Sequence, residues 1–121
     1  MVPAGGEAGD IKAMNNLGLL LKDNDPAQAR AWWQRAAEAG HVGAMANLAL
    51  LLATLLHPPE LAEAGIWWQR AAEAGNVEAM FNLGVLFKDG DPGKAIMWWT
   101  RAAAAGHSEA KANLRMFGQR G

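Results

Sequence analysis

Residues 67–84 read Trp67-Trp68-Gln69-Arg70-Ala71-Ala72-Glu73-Ala74-Gly75-Asn76-Val77-Glu78-Ala79-Met80-Phe81-Asn82-Leu83-Gly84, and the chain repeats this pattern. Trp32 to Ala49 is a second copy, and Trp98 to Arg115 is a third, more worn one. The glycines Gly9, Gly40, Gly75 and Gly106 stand 31, 35 and 31 residues apart. Seven residues beyond each comes an asparagine: Asn16, Asn47, Asn82 and Asn113. A fixed period of this size marks a solenoid, in which each unit buries its apolar face on its neighbours.

Inside the period the apolar spacing is helical. Ile11, Met14, Leu17, Gly18 and Leu21 recur at intervals of three and four, which predicts a helix from Asp10 to Lys22. Asp25-Pro26 starts the next helix: aspartate can cap free amides, and proline at the first helical position loses no hydrogen bond. That helix carries Ala29, Trp32, Trp33, Ala36 and Ala37, and Gly40 can end it in the left-handed conformation. Each unit is thus a helix A followed by an antiparallel helix B. The fold class is all-α: about three helix pairs and a C-terminal capping helix.

The repeats are assigned to residues 9–39, 40–74 and 75–105, with the capping helix at 107–117 and a tail at 118–121. Residues 1–8 read as the frayed stump of a preceding helix, since Glu7-Ala8-Gly9 matches Glu38-Ala39-Gly40 but Gly5 and Gly6 replace an alanine pair. The second unit is four residues longer, around Ala53 to Pro59. Four residues are about one helical turn, which predicts slight lengthening of both its helices, with Pro58 and Pro59 forcing the break. In the last helix Lys111 and Arg115 replace the positions of Met80 and Gly84, as expected of a cap that no helix B follows.

These residues resemble a known family. Met14-x-x-Leu17-Gly18-x-x-Leu21 followed by Ala29-x-x-x-Trp33 resembles the tetratricopeptide repeat, as does Met80-x-x-Leu83-Gly84-x-x-Phe87 with Ala95-x-x-x-Trp99. The junction Ala-Ala-Glu-Ala-Gly-His/Asn before Glu78-Ala79-Met80-Phe81-Asn82-Leu83-Gly84 is more similar to the SEL-one-like repeat branch, with shortened repeats. The resemblance implies an α-solenoid with a right-handed superhelix, a protein-interaction role, and a concave groove lined by helix A.

Composition sets limits on function. The 121 residues carry a net charge of −1, against the basic face that nucleic acid requires. There is no cysteine, which removes disulfide frameworks and thiol chemistry and fits a reducing, cytoplasmic setting. No stretch is long and apolar enough for membrane insertion, and the first residues lack the regions of a signal peptide.

Catalytic and metal readings are weak. His41 and His107 share a turn position with Asp10 and Asn76, where a polar side chain caps helix A, and His57 precedes two prolines. Asp89-Gly90-Asp91 starts like a calcium loop but lacks the remaining ligands. Ser108 is the only serine, and no phosphate-cradling glycine motif is present. Glu38, Glu73 and Glu78 read as surface carboxylates near helix ends. No cofactor, no metal and no enzymatic activity are expected.

The methionines and the Trp-Trp pairs fall at core spacing. Adjacent residues sit about 100° apart on a helix, so Trp33, Trp68 and Trp99 are expected to lie deeper than Trp32, Trp67 and Trp98. Gly18, Ala49 and Gly84 are expected to face Ala29, Ala64 and Ala95, bringing helices A and B close.

The family's groove positions map first onto Lys12, Asn15, Leu19 and Lys22. Gly43, Ala46, Leu50 and Ala53 follow from the second unit, then Glu78, Phe81, Val85 and Lys88 from the third. Glu109, Ala112 and Met116 come from the last helix, and the asparagine row Asn16, Asn47, Asn82 and Asn113 runs alongside. The asparagines either bond the backbone of the neighbouring unit or hold a bound peptide, and one side chain can do both. The leading expectation is a peptide segment of another protein in this groove. The alternative is a homodimer, through the lateral tryptophans or through Ile11, Met14 and Leu21 at the N-terminal end.

Overall fold

The computed structural model describes residues 7–55 and 59–120, with side chains over 9–55 and 59–117. Among these residues every regular element is helical: α1 (Glu7–Leu21), α2 (Pro26–Glu38), α3 (Val42–Leu50), α4 (Leu61–Glu73), α5 (Val77–Phe87), α6 (Pro92–Ala104) and α7 (Ser108–Arg120). A π-helical segment, Leu51–Leu55, continues α3. The chain divides into two compact units, Met1–Trp67 and Trp68–Gly121, within α4. In the first unit α2 packs against α1 and α3, and in the second α6 packs against α5 and α7. Both are therefore A–B–A triplets, offset in sequence by 66 residues.

Three residues make each passage from helix B to the next helix A, with a glycine at the centre. Gly40, Gly75 and Gly106 take φ of 95°, 99° and 98°, which only glycine adopts without strain. After α2 the Gly40 amide donates to the Ala37 carbonyl (2.9 Å) and the His41 amide to Ala36 (3.0 Å). This paired 5→2 and 6→1 closure is a Schellman motif, repeated by Gly75-Asn76 and Gly106-His107. The next side chain then caps the following helix. His41 Nδ1 accepts from Ala44 N (3.0 Å), Asn76 Oδ1 from Ala79 N (2.9 Å) and His107 Nδ1 from Ala110 N (3.1 Å). Asp25 and Asp91 cap α2 and α6 ahead of proline, as their sequences predict.

The core of each triplet is a tryptophan laid over a glycine. A Cβ on Gly18 would overlap the Trp33 indole, and one on Gly84 would overlap Trp99. The close approach serves a hydrogen bond: Trp33 Nε1 donates to the Asn15 carbonyl (3.0 Å) and Trp99 Nε1 to the Phe81 carbonyl (3.1 Å). The group nearest each glycine is thus the tryptophan indole, and Ala29 and Ala95 are fully buried. Ala49 stands in the glycine register of the middle repeat and is fully buried. Trp68 Nε1 is buried and has no acceptor among the described residues.

Other expectations are revised. Trp67 and Trp98 are buried, 5% and 2% exposed, and among the first tryptophans of the pairs only Trp32 is half-exposed. Around α6 an A helix lies on each of two sides, so its buried face spans more than the angle between adjacent residues and takes in Trp98. A cation also lies over the ring in both triplets, Arg35 on Trp32 at 5.3 Å and Arg101 on Trp98 at 4.7 Å. The second repeat lengthens only on the A side: α2, α4 and α6 all have 13 residues, and the π-helical segment takes up extra length after α3. Gly9 lies inside α1 rather than at a turn, and α7 reaches Arg120 rather than ending at 117. Lys111 and Arg115 are exposed. His57, Pro58, the tail's side chains and the N-terminal stump through residue 6 lie outside the described residues.

Candidate functional site

On α1 the groove positions Lys12, Asn16 and Leu19 are exposed, while Asn15 and Lys22 are half-buried. On α3 Leu50 is exposed, and Ala46 and Asn47 are half-buried. Glu78, Val85 and Lys88 of the second unit are exposed with Met116 of α7, and Phe81 and Asn82 are half-buried. None of these side chains is part of the core. Leu19 and Val85, 44% and 41% exposed, are therefore surface groups.

The first unit gathers four of them into one cleft of about 200 Å³. Leu19, Lys22, Asn47 and Leu50 line it together with Trp33, Leu51, Thr54 and Leu55. Thr54 and Leu55 come from the π-helical segment, whose Thr54 hydroxyl donates to the Leu50 carbonyl (2.6 Å). Asn47 Nδ2 donates to Asn15 Oδ1 (3.0 Å), tying α3 to α1. The asparagine therefore bonds the neighbouring repeat through a side chain rather than its backbone, and its own carbonyl oxygen stays available. Lys22 reaches Asp23 at 3.5 Å, an exposed and weak pair.

The second unit has its cleft at the corresponding place, with a volume of about 150 Å³. Lys88, Asp89, Trp99, Asn113, Met116 and Phe117 line it. Five of these stand 66 residues beyond a lining residue of the first cleft: Lys22, Trp33, Asn47, Leu50 and Leu51. Phe81 turns to other partners, with its ring stacked on His107 at 4.6 Å and tilted against Trp99 at 6.5 Å. Glu78 is not a merely solvated carboxylate, because His107 Nε2 lies 2.6 Å from its Oε2. With Nδ1 accepting from Ala110, the ring proton sits on Nε2 and is donated to Glu78.

Lys12, Asn15, Asn16, Ala46, Glu78, Phe81, Asn82 and Val85 line neither cleft. The sequence reading missed both tryptophan floors, Asp89, Phe117 and the π-helical wall. The 66-residue offset could have found Trp99, since it occupies the register of Trp33. Among the described residues no three histidine, aspartate or glutamate side chains converge on a metal position. No helix among them is long and apolar enough to cross a membrane.

Comparison with known proteins agrees with this architecture. The Sel1 repeat is recognised three times, at residues 11–41, 42–76 and 77–107, each boundary about two residues later than the glycine spacing places it. None of the curated proteins compared matches the chain. One similar solved structure is a protective antigen of uropathogenic Escherichia coli strains displaying an SLR fold. It is 29% identical with a TM-score of 0.80, over 90% of this chain and 26% of that one. A Sel1 repeat protein from Oxalobacter formigenes is 28% identical with a TM-score of 0.80, over 89% of this chain and 49% of the other. The chain thus spans about a quarter and about half the length of these two. With three matched repeats across residues 11–107, and the helix pairs to go with them, the chain belongs to the Sel1 repeat family.

Proposed function

We propose that this Sel1 repeat scaffold is a non-catalytic protein-interaction module that holds a peptide segment of a partner against its A helices. The observation that carries this reading is the exposure of apolar side chains beside unsaturated polar ones on those helices. Leu19, Leu50 and Met116 are 44%, 48% and 55% exposed. Each lines a cleft with a lysine and an asparagine on its rim. Aliphatic surface next to amide and ammonium groups suits a peptide whose side chains anchor it and whose backbone needs partners. The test is partner capture from the native source, followed by Leu50→Asp, Phe81→Ala and Asn82→Ala. Binding that survives all three in a folded protein would place the ligand elsewhere.

Self-association through the N-terminal end is the second reading, and one observation favours it. Leu17 and Leu20 of α1 are 36% and 76% exposed, whereas their counterparts Leu48 of α3 and Leu51 of the π-helical segment are 0% and 1% exposed. The face differs from the expected one, because Ile11, Met14 and Leu21 are half-buried. Of the lateral tryptophans only Trp32 could contribute, since Trp67 and Trp98 are buried.

A further inference from the structure

We propose that the chain is bivalent: each triplet carries its own anchor cleft for an aliphatic side chain followed by an acidic residue. This rests on the reading of the A helices as the binding face. A repeat copies its core automatically, so the return of tryptophan at 33 and 99 says little about ligands. Groove positions are free to drift, and three of them do: Lys12 is matched by Glu78, Asn15 by Phe81 and Leu19 by Val85, whereas Asn16 returns as Asn82. The cleft lysine returns with the turn that follows it, Lys22-Asp23-x-Asp25-Pro26 as Lys88-Asp89-x-Asp91-Pro92. Lys22 returns as Lys88, although the same register in the middle repeat holds Ala53. Neither lysine is buried, so packing does not demand the recurrence.

The clefts define the chemistry of the occupant. Volumes of about 200 and about 150 Å³ suit a single side chain, since an apolar cavity of roughly 150 Å³ accepts benzene. The flank of Leu50 or Met116 supplies apolar contact, beside the nearly buried edge of Trp33 or Trp99. Among the described residues Lys22 is the only charged one lining the first cleft, and its pairing with Asp23 is exposed and long. An acidic residue beside the anchor meets that ammonium. In the second cleft Asp89 lies in the lining with Lys88, so its preference for acid is weaker. Asn47 offers its free carbonyl oxygen to a ligand amide. Asn113 faces the register of Phe81 instead of an asparagine, and among the described residues its amide has no hydrogen-bond partner.

The test titrates the full chain with two probes, acetyl-Leu-Glu-amide and acetyl-Leu-Lys-amide, and follows the indole N–H resonances of Trp33 and Trp99. So small a ligand binds in the millimolar range. With the glutamate probe both resonances are expected to shift. Trp33 should favour it over the lysine probe by about threefold, the scale of one exposed ion pair, and Trp99 by less. Leu50→Asp should abolish the Trp33 response and spare Trp99, and Met116→Asp should do the reverse. Both substitutions fall on exposed side chains, so the fold tolerates them. Silence at either resonance, absence of charge preference at Trp33, or variants that each affect both sites would overturn the proposal. If the probes fail while partner capture still depends on Phe81, the anchor clefts fall and the A-helix reading stands. Loss of both removes both.

Discussion

The indole of Trp99 lies so close over the Cα of Gly84 that a methyl group there would overlap the ring, while its Nε1 donates to the Phe81 carbonyl at 3.1 Å. Trp33 and Gly18 repeat the relationship with the Asn15 carbonyl. The obstacle is a rigid buried ring, so the methyl of Gly84→Ala has no flexible group to push aside. Overpacking of this kind costs about 1–3 kcal/mol. A urea titration of Gly84→Ala is expected to show that loss, with Gly18→Ala behaving alike. A neutral substitution at both positions would mean the helices separate at no cost.

The two tryptophans of α2 should be energetically unequal. Trp33 is 2% exposed and hydrogen-bonded, whereas Trp32 is half-exposed under Arg35. Trp33→Ala is expected to cost about 3–5 kcal/mol, the usual range for deleting a buried aromatic. Trp32→Ala should cost clearly less. Equal shifts of the urea midpoint would contradict the burial. No such inequality is expected between Trp67 and Trp68, because both are buried.

His107 has three contacts: the cap of α7, the bond to Glu78 and the stack on Phe81. Asparagine performs the capping role at Asn76, so His107→Asn keeps that part and loses the others. His107→Ala should lose the cap as well, worth about 0.5–2 kcal/mol. The difference between the two variants in thermal or urea unfolding isolates the cap. If asparagine is no better than alanine, the capping bond contributes nothing.

Should the chain self-associate through α1, Leu20→Glu will prevent it. Light scattering across a concentration series is expected to give a dimer for the parent and a monomer for the variant. A parent that stays monomeric at high concentration disposes of the second reading.

Much of this molecule was legible because its determinants are local. Gly40, Gly75 and Gly106 end a helix wherever they occur, and the following His41, Asn76 or His107 needs only the next turn to act as a cap. Asp25-Pro26 and Asp91-Pro92 are equally self-contained. The apolar spacing and the repeat period then leave few ways to stack the helices. Groove positions could be placed on the surface by register alone, and all of them lie outside the core.

The sequence by itself therefore determined the helix pairs, their junctions and the Sel1 repeat fold, since each follows from contacts within a turn or from periodicity. Tertiary structure decided what sits between helices. Only packing could show that Trp98 is as buried as Trp99, because that depends on a second A helix covering helix B. Glu78 meets His107 across 29 residues and Asn15 meets Asn47 across 32, distances at which local pattern carries no information. The clefts are likewise spaces left between three helices. Their shape depends on side-chain volumes that meet only after the chain has folded.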